Sequence, residues 1–242
     1  MDRSNIQKIT TSNNLRGYKL FTFLATLLIT VSLTTSVLGY KIIGVDGHIF
    51  SAAALIIPFR YLLGDVIAEI YGLYAAKRII WYMLISGFIF SIVCVLVIRL
   101  PSPSYWTHES AYNFVLGKTL HIAIFATIGV FIGSMLNVFL LSKSKLLLNG
   151  KYFWLRSLVS SIIGELTQYV IVLTMMYWSI FSVGKIIEVI LFDYSVQVII
   201  LFLLTPFTHA FIRKIKKIED VDIYDSNICF NPFSMSDKKR KA

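Results

Sequence analysis

The sequence predicts an all-α polytopic membrane protein, a bundle of six transmembrane helices, and three observations point there. Of 242 residues, 57% are hydrophobic and only 15% charged, where a soluble domain carries about a quarter. The apolar residues fall in long continuous runs, not in the alternating segments of a barrel, which leaves the helix as the spanning element. Lys and Arg are also sorted by side. Arg3, Lys8, Arg16, Lys19, Lys77, Arg78, Lys143, Lys145, Lys151, Arg156, Arg213, Lys214, Lys216, Lys217, Lys238, Lys239, Arg240 and Lys241 fall on one side, and Lys41, Arg99, Lys118 and Lys185 on the other. An even number of spans with both termini in the cytoplasm follows.

Residues 1–18 are polar and basic and read as a cytoplasmic N-terminal segment, too long a polar lead for a signal peptide. The six-helix domain covers 19–217. Its first span is expected over 20–40, followed by a turn over 41–48 with Gly44, Asp46 and Gly47. The second span runs over 49–71. A tight basic turn over 75–78 leads to the third, over 79–98, with Trp81 and Tyr82 as interfacial anchors. Residues 101–118 make the longest connection. The fourth span is expected over 119–141, a basic turn over 142–151, the fifth span over 155–178 and the sixth over 186–212, kinked at Thr205-Pro206. Residues 218–242 have little apolar periodicity and read as a disordered cytoplasmic tail.

The net charge of +10 sits between apolar runs, so it reports topology and not a nucleic-acid surface. Cys94 and Cys229 make no disulfide framework. There is no phosphate-binding loop, no nucleophile elbow and no metal-ligand spacing, and no cofactor is implied. An enzyme is not indicated.

The stretch 58–72, PFRYLLGDVIAEIYG, organises the rest. To cross the bilayer the second span must carry Arg60, Asp65 and Glu69 into or near hydrocarbon, and Asp65 and Glu69 share a helix face at spacing four. Further polar groups within spans are His121, Asn137, Glu165, Gln168, Asp193 and Gln197. His121, close to a helix start, reads as structural. In the fifth span Ser157, Ser161, Gly164 and Gln168 make a small-residue stripe on which another helix can pack closely. Glu165 beside it lies about 15 Å deep, and Arg60 lies near the same depth on the second span. The two are expected to pair and to join those helices. Asp193 and Gln197 share a face of the sixth span.

The pattern YLLGDVIAEIYGLYAAKRIIW (residues 61–81) resembles the signature of the queuosine precursor transporter family, a branch of the vitamin uptake transporters. The resemblance continues through YNFVLGKTLHIAIFATIGVFIGSMLNVFLLSK, LRSLVSSIIGELTQ and DYSVQVIILFLLTP, and covers roughly residues 20–215. It implies a six-helix transporter of the bacterial inner membrane. It would import 7-cyano-7-deazaguanine or a related 7-deazaguanine for queuosine salvage into tRNA. It also implies a general likeness to the substrate-binding subunits of energy-coupling-factor vitamin importers, so an ATPase partner and another flat heterocycle stay open as alternatives, as does a homo-oligomer. The resemblance puts weight on Asp65, Glu69, Asn137, Arg156 and Ser157. The chain departs from the family pattern at Gln168 and Gln197, where an acid and a lysine are usual, and at Arg60 and Glu165, where uncharged residues are. The expected substrate-binding set is Arg60, Asp65, Glu69, Asn137, Arg156, Ser157, Glu165, Gln168, Asp193 and Gln197. The only other partner expected is the lipid bilayer.

Overall fold

Long apolar runs do become helices. The computed structural model describes residues 18–39, 41–45, 48–117, 119–178, 182–225 and 231–233. Among them are seven α-helices: α1 (Phe21–Leu38), α2 (Ile57–Tyr71), α3 (Leu73–Val97), α4 (Glu109–Gly117), α5 (Thr119–Leu147), α6 (Phe153–Tyr177) and α7 (Val183–Glu219). Among the described residues, five stretches are long and apolar enough to cross a membrane: Phe21–Leu38, Leu73–Val97, Ala123–Leu147, Phe153–Met175 and Val183–Glu219.

The expected second span is not one of these five. Strands β1 (Ile42–Val45) and β2 (His48–Ser51) pair as an antiparallel hairpin, and a 3-10 turn (Ala52–Leu55) follows. The helix proper then has 15 residues, about 22 Å against a hydrocarbon core of about 30 Å. The β-branched residues Ile42, Ile43, Val45 and Ile49 favour strand over helix. A short helix with irregular backbone at one end is tolerated at membrane depth only where protein encloses it. α2 meets that condition, being buried along nearly its whole length.

Residues 75–78 are helix, not a turn. The chain reverses at Gly72 alone, whose φ of 85° favours glycine, and α3 starts at once. Likewise α5 runs to Leu147, so Lys143 and Lys145 lie on a helix and not in a loop. The long connection 101–118 contains α4. His121 lies on α5, but its side chain is outside the described residues, as are residues 1–17 and Cys229.

Side-chain pairs give the helix directions. On α2 and α6, Arg60 meets Gln168, Asp65 meets Ser161 and Ser157, and Glu69 meets Arg156, an antiparallel register. On α2 and α5, Asp65 meets Asn137 and Lys145 meets the Glu69 carbonyl, a parallel one. α5 and α6 touch backbone to backbone: a Cβ on Gly133 would lie 2.5 Å from the Gly164 carbonyl, and one on Gly164 would lie 2.7 Å from that of Gly133. Within the small-residue stripe of α6, Gly164 makes this contact, while Ser157 and Ser161 bond Asp65 of α2.

The end of the bundle opposite the hairpin holds most of the apolar core, from Phe21, Leu24 and Leu28 of α1 to Ile212 and Ile215 of α7. Residues 218 and 219 belong to α7, and the chain beyond it folds back onto this end. Ile223 N–H donates to the Ile70 carbonyl. The Asp225 carboxylate accepts from Leu73 N–H at 2.6 Å, capping α3, and Glu219 accepts from Leu20 N–H at 2.5 Å, capping α1. Open helix N-termini hold acidic side chains this way.

Candidate functional site

All ten residues singled out from the sequence are buried, yet they do not form one site. They lie along the α2–α6 register as three groups, from the hairpin end to the terminal end of the bundle.

At the terminal end, Glu69 is the hub of an ion-pair cluster. Arg156 grips it with two bonds, Nη1 to Oε2 at 3.1 Å and Nη2 to Oε1 at 3.2 Å. Lys216 of α7 reaches Oε1 at 2.9 Å. Lys145 of α5 lies 3.8 Å from Oε1 and donates to the Glu69 carbonyl at 2.5 Å. Asp222 beyond α7 balances the two lysines, 2.5 Å from Lys145 and 2.8 Å from Lys216. Four helices and the returning chain are therefore tied at one point. Three cations around one carboxylate, with a second carboxylate to share them, close this end of the bundle.

In the middle, Asp65 is fully satisfied. Asn137 Nδ2 donates to Oδ1 at 2.7 Å, and Ser157 and Ser161 both donate to Oδ2, the latter at 3.0 Å. Hydroxyls and an amide are cheap partners inside a membrane and hold α2, α5 and α6 together. Asp65 and Glu69 share a face, as their spacing requires, but serve different joints.

Toward the hairpin lies a cavity of about 280 Å³, near the lower limit of small-molecule pockets. Its walls are apolar (Phe50, Ile57, Met83, Val130, Leu173), and Arg60, Gln168 and Asp193 supply its charged and amide groups. The last turns of α1 add Ser32, Thr35 and Ser36, and Tyr169 adds an aromatic face. Gln168 is fixed because its Oε1 accepts from Arg60 Nη2 and, at 3.1 Å, from Tyr61 Oη. The Arg60 guanidinium also stacks 5.1 Å from the Tyr61 ring centroid. This arrangement leaves the Gln168 Nε2 donor for a ligand. Asp193 sits beside the Ser51 backbone, and its Oδ1 is buried without a partner. Gln197, one turn on, also has a buried oxygen without a partner. Buried polar atoms without partners are rare, and two of those among the described residues, Arg60 Nε and Asp193 Oδ1, belong to residues that line the cavity.

The expected Arg60–Glu165 pair is not formed. Arg60 bonds Gln168, and both oxygens of Glu165 are without partners. Gln168 stands one turn beyond Glu165 on α6, opposite Arg60, and takes the bond. Sequence reasoning missed Lys145, Asp222, Tyr61 and Tyr169. Tyr61 stands next to Arg60 within the motif and was a readable signal. The two charged residues looked like loop and tail.

Long apolar helices around a cavity with mostly apolar walls, tied by ion pairs at the other end, mark a multi-pass membrane protein. The family profile described as "Putative vitamin uptake transporter" matches residues 51–211, two thirds of the chain, and the protein belongs to that family. No curated protein and no solved structure is found to match it. The match spans the motif of α2 and every helix that lines the cavity except α1.

Proposed function

We propose that this protein imports a 7-deazaguanine, such as 7-cyano-7-deazaguanine, across the bacterial inner membrane, and that the cavity at the hairpin end binds it. The single observation that carries this reading is the juxtaposition of a carboxylate oxygen on Asp193 without a partner and a fixed amide on Gln168 in a cavity with mostly apolar walls. A guanine-like edge has N–H donors at a ring nitrogen and an exocyclic amine, which a carboxylate accepts, and a ring carbonyl that an amide or guanidinium N–H can bond. Tyr169 and Phe50 offer faces for the flat ring. The motif of residues 61–81 supports the same substrate class.

With both termini in the cytoplasm, as the Lys and Arg distribution indicates, the cavity lies in the outer half of the bundle and the Glu69 cluster closes the inner half. This is the arrangement of a carrier ready to receive substrate from outside. Import then requires the Glu69 cluster to part while the hairpin end closes, an alternation of access around a fixed site. The test is a bacterial strain unable to make queuosine precursors. Expressing this gene should restore queuosine in its tRNA when 7-cyano-7-deazaguanine is supplied, and Asp193→Asn should prevent that. Restoration by the Asp193→Asn chain at wild-type levels would remove the cavity from the mechanism.

A further inference from the structure

Between the Arg60–Gln168 contact and the Asp65 network, α6 places one more acid. Glu165 is fully buried, and neither carboxylate oxygen has a hydrogen-bond partner. The charged groups acting on it are Arg60 and Asp65, both on α2. Its other titratable neighbours are phenols: Tyr61 on α2, Tyr169 one turn along α6, and Tyr194 on α7. Among the described residues, α5 brings no ionisable group to bear on it. Arg60 is only partly engaged. Its Nη2 donates to Gln168, its buried Nε has no partner, and none of the ion pairs among the described residues includes it.

An ionised carboxylate with no donor is not sustained in a low-dielectric interior. It takes up a proton or finds a cation. Both are at hand here. We propose that Glu165 is a proton-binding site that couples the cavity to the proton gradient by competing with Gln168 for Arg60. With the proton on Glu165, Arg60 holds the Gln168 oxygen, and the Gln168 amide is fixed for a ligand. Once the proton leaves, the carboxylate draws the guanidinium into a charge-assisted pair, and Gln168 is released. The cavity then loses a positioned donor, and substrate is let go. The proton comes from water on the hairpin side and returns to water on the terminal side, and only the O–H bond is made and broken. The fixed positive charge of Arg60 beside Glu165 favours a proton over a metal cation there, and among the described residues no cluster of acidic, His or Cys side chains could hold a metal ion.

This inference deepens the transport reading and rests on it for the coupling, but the proton site can be tested without substrate. Purified full-length protein in lipid nanodiscs at neutral pH should show the infrared band of a protonated carboxyl, displaced in heavy water and reduced in Glu165→Gln, which mimics the neutral state. A wild-type protein whose band is as strong as that of Glu165→Gln would overturn the proton site. In proteoliposomes loaded from outside with labelled 7-cyano-7-deazaguanine, one pH unit, acid outside, should raise wild-type accumulation by up to about tenfold at one proton per substrate. Glu165→Gln should abolish that response. Wild-type accumulation indifferent to the gradient and to a protonophore would overturn the coupling. No uptake of this probe by the wild type would count against the substrate reading, and the infrared band would still decide the proton site.

Discussion

Replacing Glu69 with Gln is the sharpest perturbation of the closed end. The substitution keeps shape and removes one charge from a cluster in which Arg156 and Lys145 are each buried. Lys145 and Lys216 retain Asp222 at 2.5 and 2.8 Å. Arg156 retains only carbonyl acceptors, those of Lys151, Leu141 and Gly150. One buried cation is therefore stranded, not three. Breaking a buried pair from one side costs about 3–5 kcal/mol, and the surviving acceptors put this case near 3. For a chain of this size 1 kcal/mol moves Tm by about 2–4 °C, so Glu69→Gln should lower Tm by about 6–12 °C. Tryptophan fluorescence of the purified protein in nanodiscs, followed on heating, measures it. The exposed pair Lys185–Glu188, with side chains 46% and 55% exposed, is the control. Lys185→Ala there should change stability by less than about 1 kcal/mol. A Glu69→Gln protein that melts with the Lys185→Ala control would show that the cluster is solvated and does not seal the bundle.

Other consequences follow from the same geometry. Asp193→Asn should weaken binding of 7-cyano-7-deazaguanine at least tenfold, the loss of one charge-assisted bond, with Tm nearly unchanged, as calorimetry and melting together would show. Gly133→Leu should abolish folding yield, because even its Cβ would lie 2.5 Å from the Gly164 carbonyl; size-exclusion of the detergent-solubilised chain reads this directly. Truncation after Glu219 removes Asp222 and the Asp225 cap of α3, and should lower Tm by several degrees, about 1 kcal/mol for the cap alone. Cysteine labelling at Pro103 and at Lys151 should report opposite faces of the membrane, and labelling from one face only would overturn the topology.

Much of the fold was legible because hydrophobicity decides it: the starts of α1, α5, α6 and α7 fall within three residues of the expected boundaries. The hairpin was not, although Val45-Asp46-Gly47-His48 between β-branched runs is a hairpin signal; the apolar count of 49–57 was read as the start of a helix. The central role of α2 was legible, since buried charges in a helix demand partners. Which partner each charge finds was not. Asp65 and Glu69 have one spacing and two fates, because Ser157 and Ser161 face the first and Arg156 the second, a matter of how α6 registers against α2. Lys145 and Asp222 were invisible for a related reason. One lies on the unpredicted last turn of α5, and the other stands beyond the last helix, where composition suggests disorder and only the open helix ends reveal a place to bind.

Transport by this chain through the hairpin-end cavity is tested by uptake of labelled 7-cyano-7-deazaguanine into proteoliposomes that contain the purified chain and no other protein. Uptake by the wild type should be saturable, retained in the Lys185→Ala control and lost in Asp193→Asn. Saturable uptake undiminished by Asp193→Asn would place the transported molecule somewhere other than this cavity.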